Sequence, residues 1–187
     1  MTNRRTLPGD PEHKGGLTND IDSIVRVNHA GEYGARRIYQ GQLAVLGKDP
    51  ETRELLEHMA AQEDVHLKYF DDQIKQRNIR PTVFQPIWHV GGYLMGWVTA
   101  KMGKRAAMAC TVAVEDVISG HYGDQLYKLE NSSEKELKDK IAQFKAEEEE
   151  HHDIGLQNEA ELTKGYNVLS AAIKVVSKGA IALSKRF

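Results

Sequence analysis

Two Glu-x-x-His pairs, Glu63-Asp64-Val65-His66 and Glu148-Glu149-Glu150-His151, are each preceded by a lone glutamate, Glu32 and Glu115. Residues three apart on an α-helix lie on nearly one face, about a turn from each other. Each pair can therefore aim a carboxylate and an imidazole at one point. Four ionised carboxylates and two neutral imidazoles sum to −4, which two divalent cations cancel. Buried together without a cation, those carboxylates would repel one another and be costly to keep charged. Oxygen and imidazole donors without a thiolate favour iron or manganese over structural zinc.

A single Glu-x-x-His match is weak evidence, because so short a motif recurs by chance. Here it sits inside an internal repeat. Ala30, Glu32, Tyr39, Gln42 and Leu43 match Ala113, Glu115, Tyr122, Gln125 and Leu126 at identical offsets. Ala61-Gln62-Glu63 with His66 matches Ala146-Glu147-Glu148 with His151. The lone and paired glutamates are 31 residues apart in the first copy and 33 in the second. Two facing copies of a helical hairpin would put Glu32, Glu63, His66, Glu115, Glu148 and His151 in a bundle core, the ligand arrangement of ferritin-like di-metal proteins. Four consecutive acids, Glu147 to Glu150, cannot all point inward. The match of Ala146 to Ala61 selects Glu148 with His151; Glu149 with His152 is the alternative register. Tyr39 and Tyr122, seven residues beyond the lone glutamates, either line the site and gate electrons or bond across the core as structural tyrosines. His29, three residues before Glu32, is expected to support the site by hydrogen bonding.

The elements that must position these residues are all helical, with no period-two alternation of strands. The first helix runs from Asn19 or Asp20 to Leu46. The second opens on Asp49-Pro50-Glu51, an acid cap, a proline at the first helical position and an early acid, and runs to Gln76. Arg80-Pro81 marks a break. Further helices span Lys104 to Glu130 and Ser132-Ser133-Glu134 (as a cap) to Gln157, and Gly165 and Asn167 precede a last helix ending near Lys185. The expected fold is all-α, a ferritin-like four-helix bundle with additional apolar and amphipathic helices.

Two segments are not needed to hold metal. Pro81 to Ala100 has no formally charged residue, contains Phe84, Trp88, Tyr93 and Trp97, and is interrupted by Pro86 and Gly91, Gly92 and Gly96. The last helix sets Leu169, Ile173 and Val176 against Lys174, Lys178 and Lys185. Apolar side chains with tryptophans and a basic amphipathic helix fit a membrane interface. Core packing is the plainer alternative.

At 187 residues with a net charge of −2, the chain is the size of one domain and offers no basic surface for nucleic acid. Its single cysteine, Cys110, excludes an internal disulfide and sits in a helix-core context. Residues 1–19 read as a loose polar tail without an apolar stretch like that of a signal peptide, and 20–187 as the di-metal catalytic domain. His13 and His58 read as structural or exposed.

Three segments carry a resemblance to a known family: Asn28-His-Ala-Gly-Glu-Tyr-Gly-Ala35 with Arg37-Ile-Tyr39, Ala107-Met-Ala-Cys-Thr-Val-Ala-Val-Glu115, and Glu150-His-His-Asp-Ile-Gly155. Together with Arg80-Pro-Thr-Val83 they closely resemble the demethoxyubiquinone hydroxylases of ubiquinone biosynthesis, from Ile24 to the C-terminus. The resemblance implies a di-iron monooxygenase with two iron ions per chain and O2 as co-substrate, acting on demethoxyubiquinol. It places the metal ligands on the six residues that the spacing selects. It also implies NADH or another reductant, although no glycine-rich dinucleotide motif is present. A lipid-binding accessory protein is implied too, with contacts at Phe84, Trp88 and Tyr122. The implied location is a membrane surface: the cytoplasmic face of a bacterial membrane, or the matrix face of the mitochondrial inner membrane. An iron-handling ferritin-like ferroxidase is the rival reading, weakened by the apolar stretch from Trp88 to Trp97.

Overall fold

A computed structural model describes residues 16–186. Six helices follow one another: α1 (Gly16–Leu46), α2 (Pro50–Arg77), α3 (Gln85–Lys101), α4 (Lys104–Lys128), α5 (Lys135–Gln157) and α6 (Tyr166–Arg186), with a 3₁₀ turn at Ala160–Leu162 before α6. There is no strand among the described residues. The expected all-α bundle is what forms: α1 packs on α2, α4 packs on α5, and the two hairpins face each other. Residues 1–15, most of the expected tail, lie outside the described residues.

Local signals set most of the helix ends. The Asp49 side chain accepts from the Thr52 N–H at 2.9 Å, and Pro50 occupies the first turn of α2. The helix stops at Asn78, which adopts the left-handed conformation (φ 53°), and the Ile79 N–H bonds the Ile74 carbonyl at 3.0 Å. This is the usual device for satisfying the last carbonyls. Three expectations are corrected. Helix α1 begins at Gly16, ahead of Asn19. Helix α5 has no side-chain cap, because the Glu134 carboxylate is taken by Arg77 of α2, with Nη2 at 2.6 Å. Nor is the apolar third segment interrupted: α3 is one continuous helix. Pro86 lies in its first turn, where the missing N–H has no partner to lose.

The glycines of α3 work by close approach instead. A Cβ on Gly92 would lie 2.7 Å from the Gly34 carbonyl oxygen of α1, and one on Gly96 would run into the Ile38 carbonyl. Gly41 of α1 meets the Tyr93 carbonyl in the same way. Helix α3 therefore lies backbone to backbone along α1.

Two of the three apolar blocks of the core flank the candidate ligand residues along every bundle helix. One block contains Ile21 and Val25 of α1, Phe70 and Ile74 of α2, and Leu137, Ile141 and Phe144 of α5. The other contains Tyr39 of α1, Leu56 and Met59 of α2, and Met108 and Val112 of α4. Fully burying a side chain such as Phe70 contributes roughly 1.5–3 kcal/mol. Several such residues offset the cost of placing polar groups between them. Helix α4 is buried on nearly every face from Ala106 to Glu115, which its run of small residues permits. Cys110 lies in this stretch, where burial pushes its thiol up to about 12.

Replacing Gly96 by alanine forces α3 away from α1. We expect Gly96→Ala to destabilise the protein by roughly 1–3 kcal/mol, seen as a lower urea midpoint. The same change at Gly91, whose Cβ would meet nothing within 4 Å, should be close to neutral.

Candidate metal centre

The six residues selected by spacing come together at the middle of the bundle, one lone glutamate or one Glu-x-x-His pair from each of four helices. All six are 0–1 % exposed. They fall into two overlapping groups: Glu32, Glu63, His66 and Glu148, and Glu63, Glu115, Glu148 and His151. In each group one ligand atom per residue lies within 4.8 Å of all the others. Glu63 and Glu148 belong to both, whereas Glu32 with His66 belong only to the first and Glu115 with His151 only to the second. His66 Nδ1 lies 3.1 Å from Glu148 Oε1 and 3.5 Å from Glu32 Oε2. His151 Nδ1 lies 3.2 Å from Glu148 Oε2 and 3.3 Å from Glu63 Oε1.

The donor set fits a pair of cations. Glu32 Oε2, Glu115 Oε2, both oxygens of Glu63 and of Glu148, and Nδ1 of His66 and His151 are buried without a hydrogen-bond partner. Buried polar atoms are normally paired, and these eight converge on one place. Electrostatics point the same way. Burial, then repulsion from Glu148 and Glu32, pushes the Glu63 carboxyl well above the usual carboxylate range. Burial and the neighbouring Glu148 do the same to Glu115. Burial alone would lower the His66 pKa, but the Glu148 and Glu32 carboxylates beside the ring raise it far above the ordinary histidine value. These shifts favour protons on Glu63, Glu115 and His66, which bound metal would replace.

The repeat explains how the ligands are held. Tyr39 of the first copy donates to Glu115 Oε1 of the second at 2.9 Å, and Tyr122 of the second donates to Glu32 Oε1 of the first. Burial and the adjoining carboxylates raise both phenol pKa values, so both remain donors. The matched glutamines also reach across. Gln42 donates to Thr111 Oγ1 at 3.4 Å and to the Ala107 carbonyl at 3.1 Å. Gln125 exchanges two hydrogen bonds with Asn28, at 2.8 and 2.7 Å. Thr111 and Asn28 each stand four residues before the lone glutamate of their own copy.

The outer nitrogens of the histidines are fixed as well. His66 Nε2 bonds Glu147 and His151 Nε2 bonds Gln62 Oε1, at 2.5 and 2.7 Å. This sets Nδ1 as the nitrogen facing the centre. Glu147 and Gln62 each precede a paired glutamate. Sequence reasoning placed both in the repeat but gave them no role, although a polar residue one before each Glu-x-x-His was the available signal.

Other expected residues lie elsewhere. His29 is buried but bonds Asp71 of α2 at 2.9 Å rather than a ligand. His152 and Asp153 pair with each other at the surface side of α5. The alternative register, Glu149 with His152, is not gathered, since Glu149 points outward to Lys145. His58 is half exposed near Glu150, and His89 accepts from or donates to the Tyr33 hydroxyl outside the bundle. Tyr122, expected at a partner contact, is instead 1 % exposed and bound to Glu32.

Between α1, α4 and the two extra helices, lined by Gly31 and Val114 next to Glu32 and Glu115 but by none of the six candidate ligands, is an apolar cavity of about 260 Å³. Ala30, Gly31, Gly34 and Ala35 of α1 form one wall, Trp88 and Met95 of α3 another, and Ala180 and Ile181 of α6 a third. A Cβ at Gly31 or Gly34 would meet nothing within 4 Å. The Trp88 indole N–H donates to Ser184 Oγ at 3.1 Å, tying α3 to α6 across the opening.

A bundle of four helices with paired Glu and Glu-x-x-His sets is the arrangement seen in di-metal carboxylate proteins. Residues 19–184 match the family described as ubiquinone biosynthesis protein COQ7, and the chain belongs to that family. It is 49 % identical to the 3-demethoxyubiquinol 3-hydroxylase of Rhodospirillum rubrum over 180 residues, 96 % of this chain and 82 % of that protein. It is 50 % identical to the mitochondrial NADPH-dependent 3-demethoxyubiquinone 3-hydroxylase of Dictyostelium discoideum, over 89 % of this chain and 77 % of the relative. The human protein of the same name is 48 % identical over the same shares.

The geometry separates Glu148 from its neighbour two residues on, whose side chain is 53 % exposed. Glu148→Ala should lose at least one metal ion per chain, and Glu150→Ala should keep the full complement. Metal counts on the two purified variants check this.

Proposed function

We propose that this chain is a 3-demethoxyubiquinol 3-hydroxylase that uses two iron ions bound by Glu32, Glu63, His66, Glu115, Glu148 and His151. The observation that carries the reading is the buried double ligand set beside an apolar cavity, in a chain about half identical to enzymes of that name. In the overall reaction one oxygen atom of O2 replaces hydrogen on the quinol ring as a hydroxyl. The other leaves as water, with two electrons and two protons from a reductant. The names of several mitochondrial relatives specify NADPH, and a nicotinamide is the electron source we assign here.

Bound iron would supply reduction of O2. The protein supplies the rest. Glu63 and Glu148, which belong to both donor groups, would be shared between the two ions. Tyr39 and Tyr122 hold one oxygen each of Glu115 and Glu32, leaving the other oxygen free for metal. The apolar blocks on either side exclude water, so that the oxidising power is not spent on solvent. The cavity is wide enough for a substituted ring, and its lining offers few polar atoms to compete for it.

The substrate's isoprenoid tail calls for a lipid-facing entrance. Ile87, Val90, Leu94 and Val98 on α3, and Val175, Val176 and Leu183 on α6, are exposed. Trp97 is 39 % exposed with the Lys101 ammonium over its ring, an arrangement suited to a headgroup boundary. By length and composition α6 alone among the described helices could cross a membrane. We assign it instead to the surface, because it packs along α4 and α1 and its Lys174 pairs with Asp116 of α4 at 2.8 Å. The same surface, with Phe84 and Trp88 at its rim, is where a lipid-binding accessory protein would sit.

Single-turnover reaction of the iron-loaded, reduced protein with labelled O2 and a short-tailed demethoxyquinol should place one labelled atom on the ring. Glu32→Ala and His151→Ala should each abolish product. Label found only in water, with the ring unchanged, would overturn the hydroxylase reading in favour of a ferroxidase. For the membrane surface, liposome flotation should recover the wild-type chain, and Leu94→Glu combined with Val175→Glu should lose most of it. Full flotation of that variant would show that the contact lies on another face.

A further inference from the structure

The two halves of the centre match in their carboxylates and in the phenols that hold them, but differ in what holds the histidines. The carboxylates are matched, with Glu32 against Glu115 and Glu63 against Glu148. The phenol donors are matched too, since Tyr122 serves Glu32 as Tyr39 serves Glu115. The outer nitrogens are not. His66 Nε2 meets the Glu147 carboxylate, whereas the corresponding His151 Nε2 meets the Gln62 amide oxygen, at 2.7 Å. Gln143 donates to the other Glu147 oxygen at 2.9 Å and keeps that carboxylate turned toward His66. Glu147 and Gln62 occupy equivalent positions of the repeat, so the difference is one of charge at the same place.

We propose that this difference makes the two metal positions unequal, with the Glu32–His66 position binding a divalent ion more tightly than the Glu115–His151 position, and with Glu147 as the positioning residue responsible. A hydrogen bond to a carboxylate is roughly twice as strong as one to a neutral acceptor. It draws the Nε2 proton outward and raises electron density on Nδ1, making the imidazole a better donor. Glu147, whose side chain is 24 % exposed, also brings a further negative charge to the outer edge of the His66 ring. Gln62 fixes the ring of His151 in the same orientation but adds no charge. Phe144 packs against His66 with ring centroids 4.1 Å apart and planes tilted by 36°, holding it in place. Outer partners of this kind are worth 10- to 100-fold in metal affinity in other proteins.

The inference rests on the six side chains being ligands of two ions, and the test separates the two claims. Anaerobic calorimetric titration with Mn²⁺ of the metal-free protein should show two ions bound in two resolved steps. Glu147→Gln keeps the shape and the acceptor but removes the charge, and should weaken the tighter step by about 10- to 100-fold, leaving the weaker step in place. Gln62→Glu should do the reverse and tighten the weaker step toward the other. If both variants keep the wild-type pair of affinities, the proposal fails while the ligand assignment stands. If the wild type takes up no ions, or only one, the ligand assignment fails and the proposal with it. Each substitution exchanges groups of almost equal volume. The two expected shifts run in opposite directions, so loss of folding cannot imitate them.

Discussion

Four carboxylates buried at one point are the constraint on which the rest of the molecule depends. Left unneutralised they would drive the bundle open, since each carries a desolvation cost of several kcal/mol beyond its repulsion from the others. The protein answers in three ways. Two histidines stand among the four acids. Two phenols, kept neutral by burial, each take one carboxylate oxygen. Apolar blocks built from Phe70, Phe144, Leu56 and Met108 clamp the centre from both sides. Rigidity follows from the cross-bundle bonds of Tyr39, Tyr122, Gln42 and Gln125, because each of these joins one hairpin to the other. The hairpins cannot separate without exposing every one of these groups.

The second constraint is topological. Helices α2 and α4 need a connection that carries the chain from one hairpin to the start of the next, and α3 is that connection. Its glycines let it lie on the α1 backbone, so it leaves the four-helix core undisturbed and turns its apolar side chains outward. With α6 it roofs a cavity whose floor is the glycine-rich stretch of α1 immediately around Glu32. The helix that solves a connectivity problem thus also shapes the approach to the chemistry.

Much of this was legible in the sequence, because helical spacing of three and an internal repeat are properties of the chain alone. The convergence of the six candidate ligands, the hairpin plan, the Asp49-Pro50 helix start and the inward register of Glu148 all rest on such local patterns. What was not legible depended on packing between distant segments. Gly92 and Gly96 look like interruptions until α1 is laid against them. Ser132-Ser133-Glu134 looks like a cap until Arg77, 57 residues away, takes the carboxylate. His29 sits one turn from Glu32 yet faces Asp71 of α2. Tyr122 offered two readings, and only the opposed copy of the repeat shows that its hydroxyl goes to Glu32.

Helix α3 has one more consequence. A centre assembled from two separate, identical hairpins would be bound by symmetry, because any residue beside one metal would have to stand beside the other as well. Covalent linkage removes that rule. Once both copies lie in one chain, position 62 can hold an amide while position 147 holds an acid, and neither choice dictates the other. The linker therefore does more than keep the halves at high local concentration: it allows a duplicated unit to specialise side by side with its own copy.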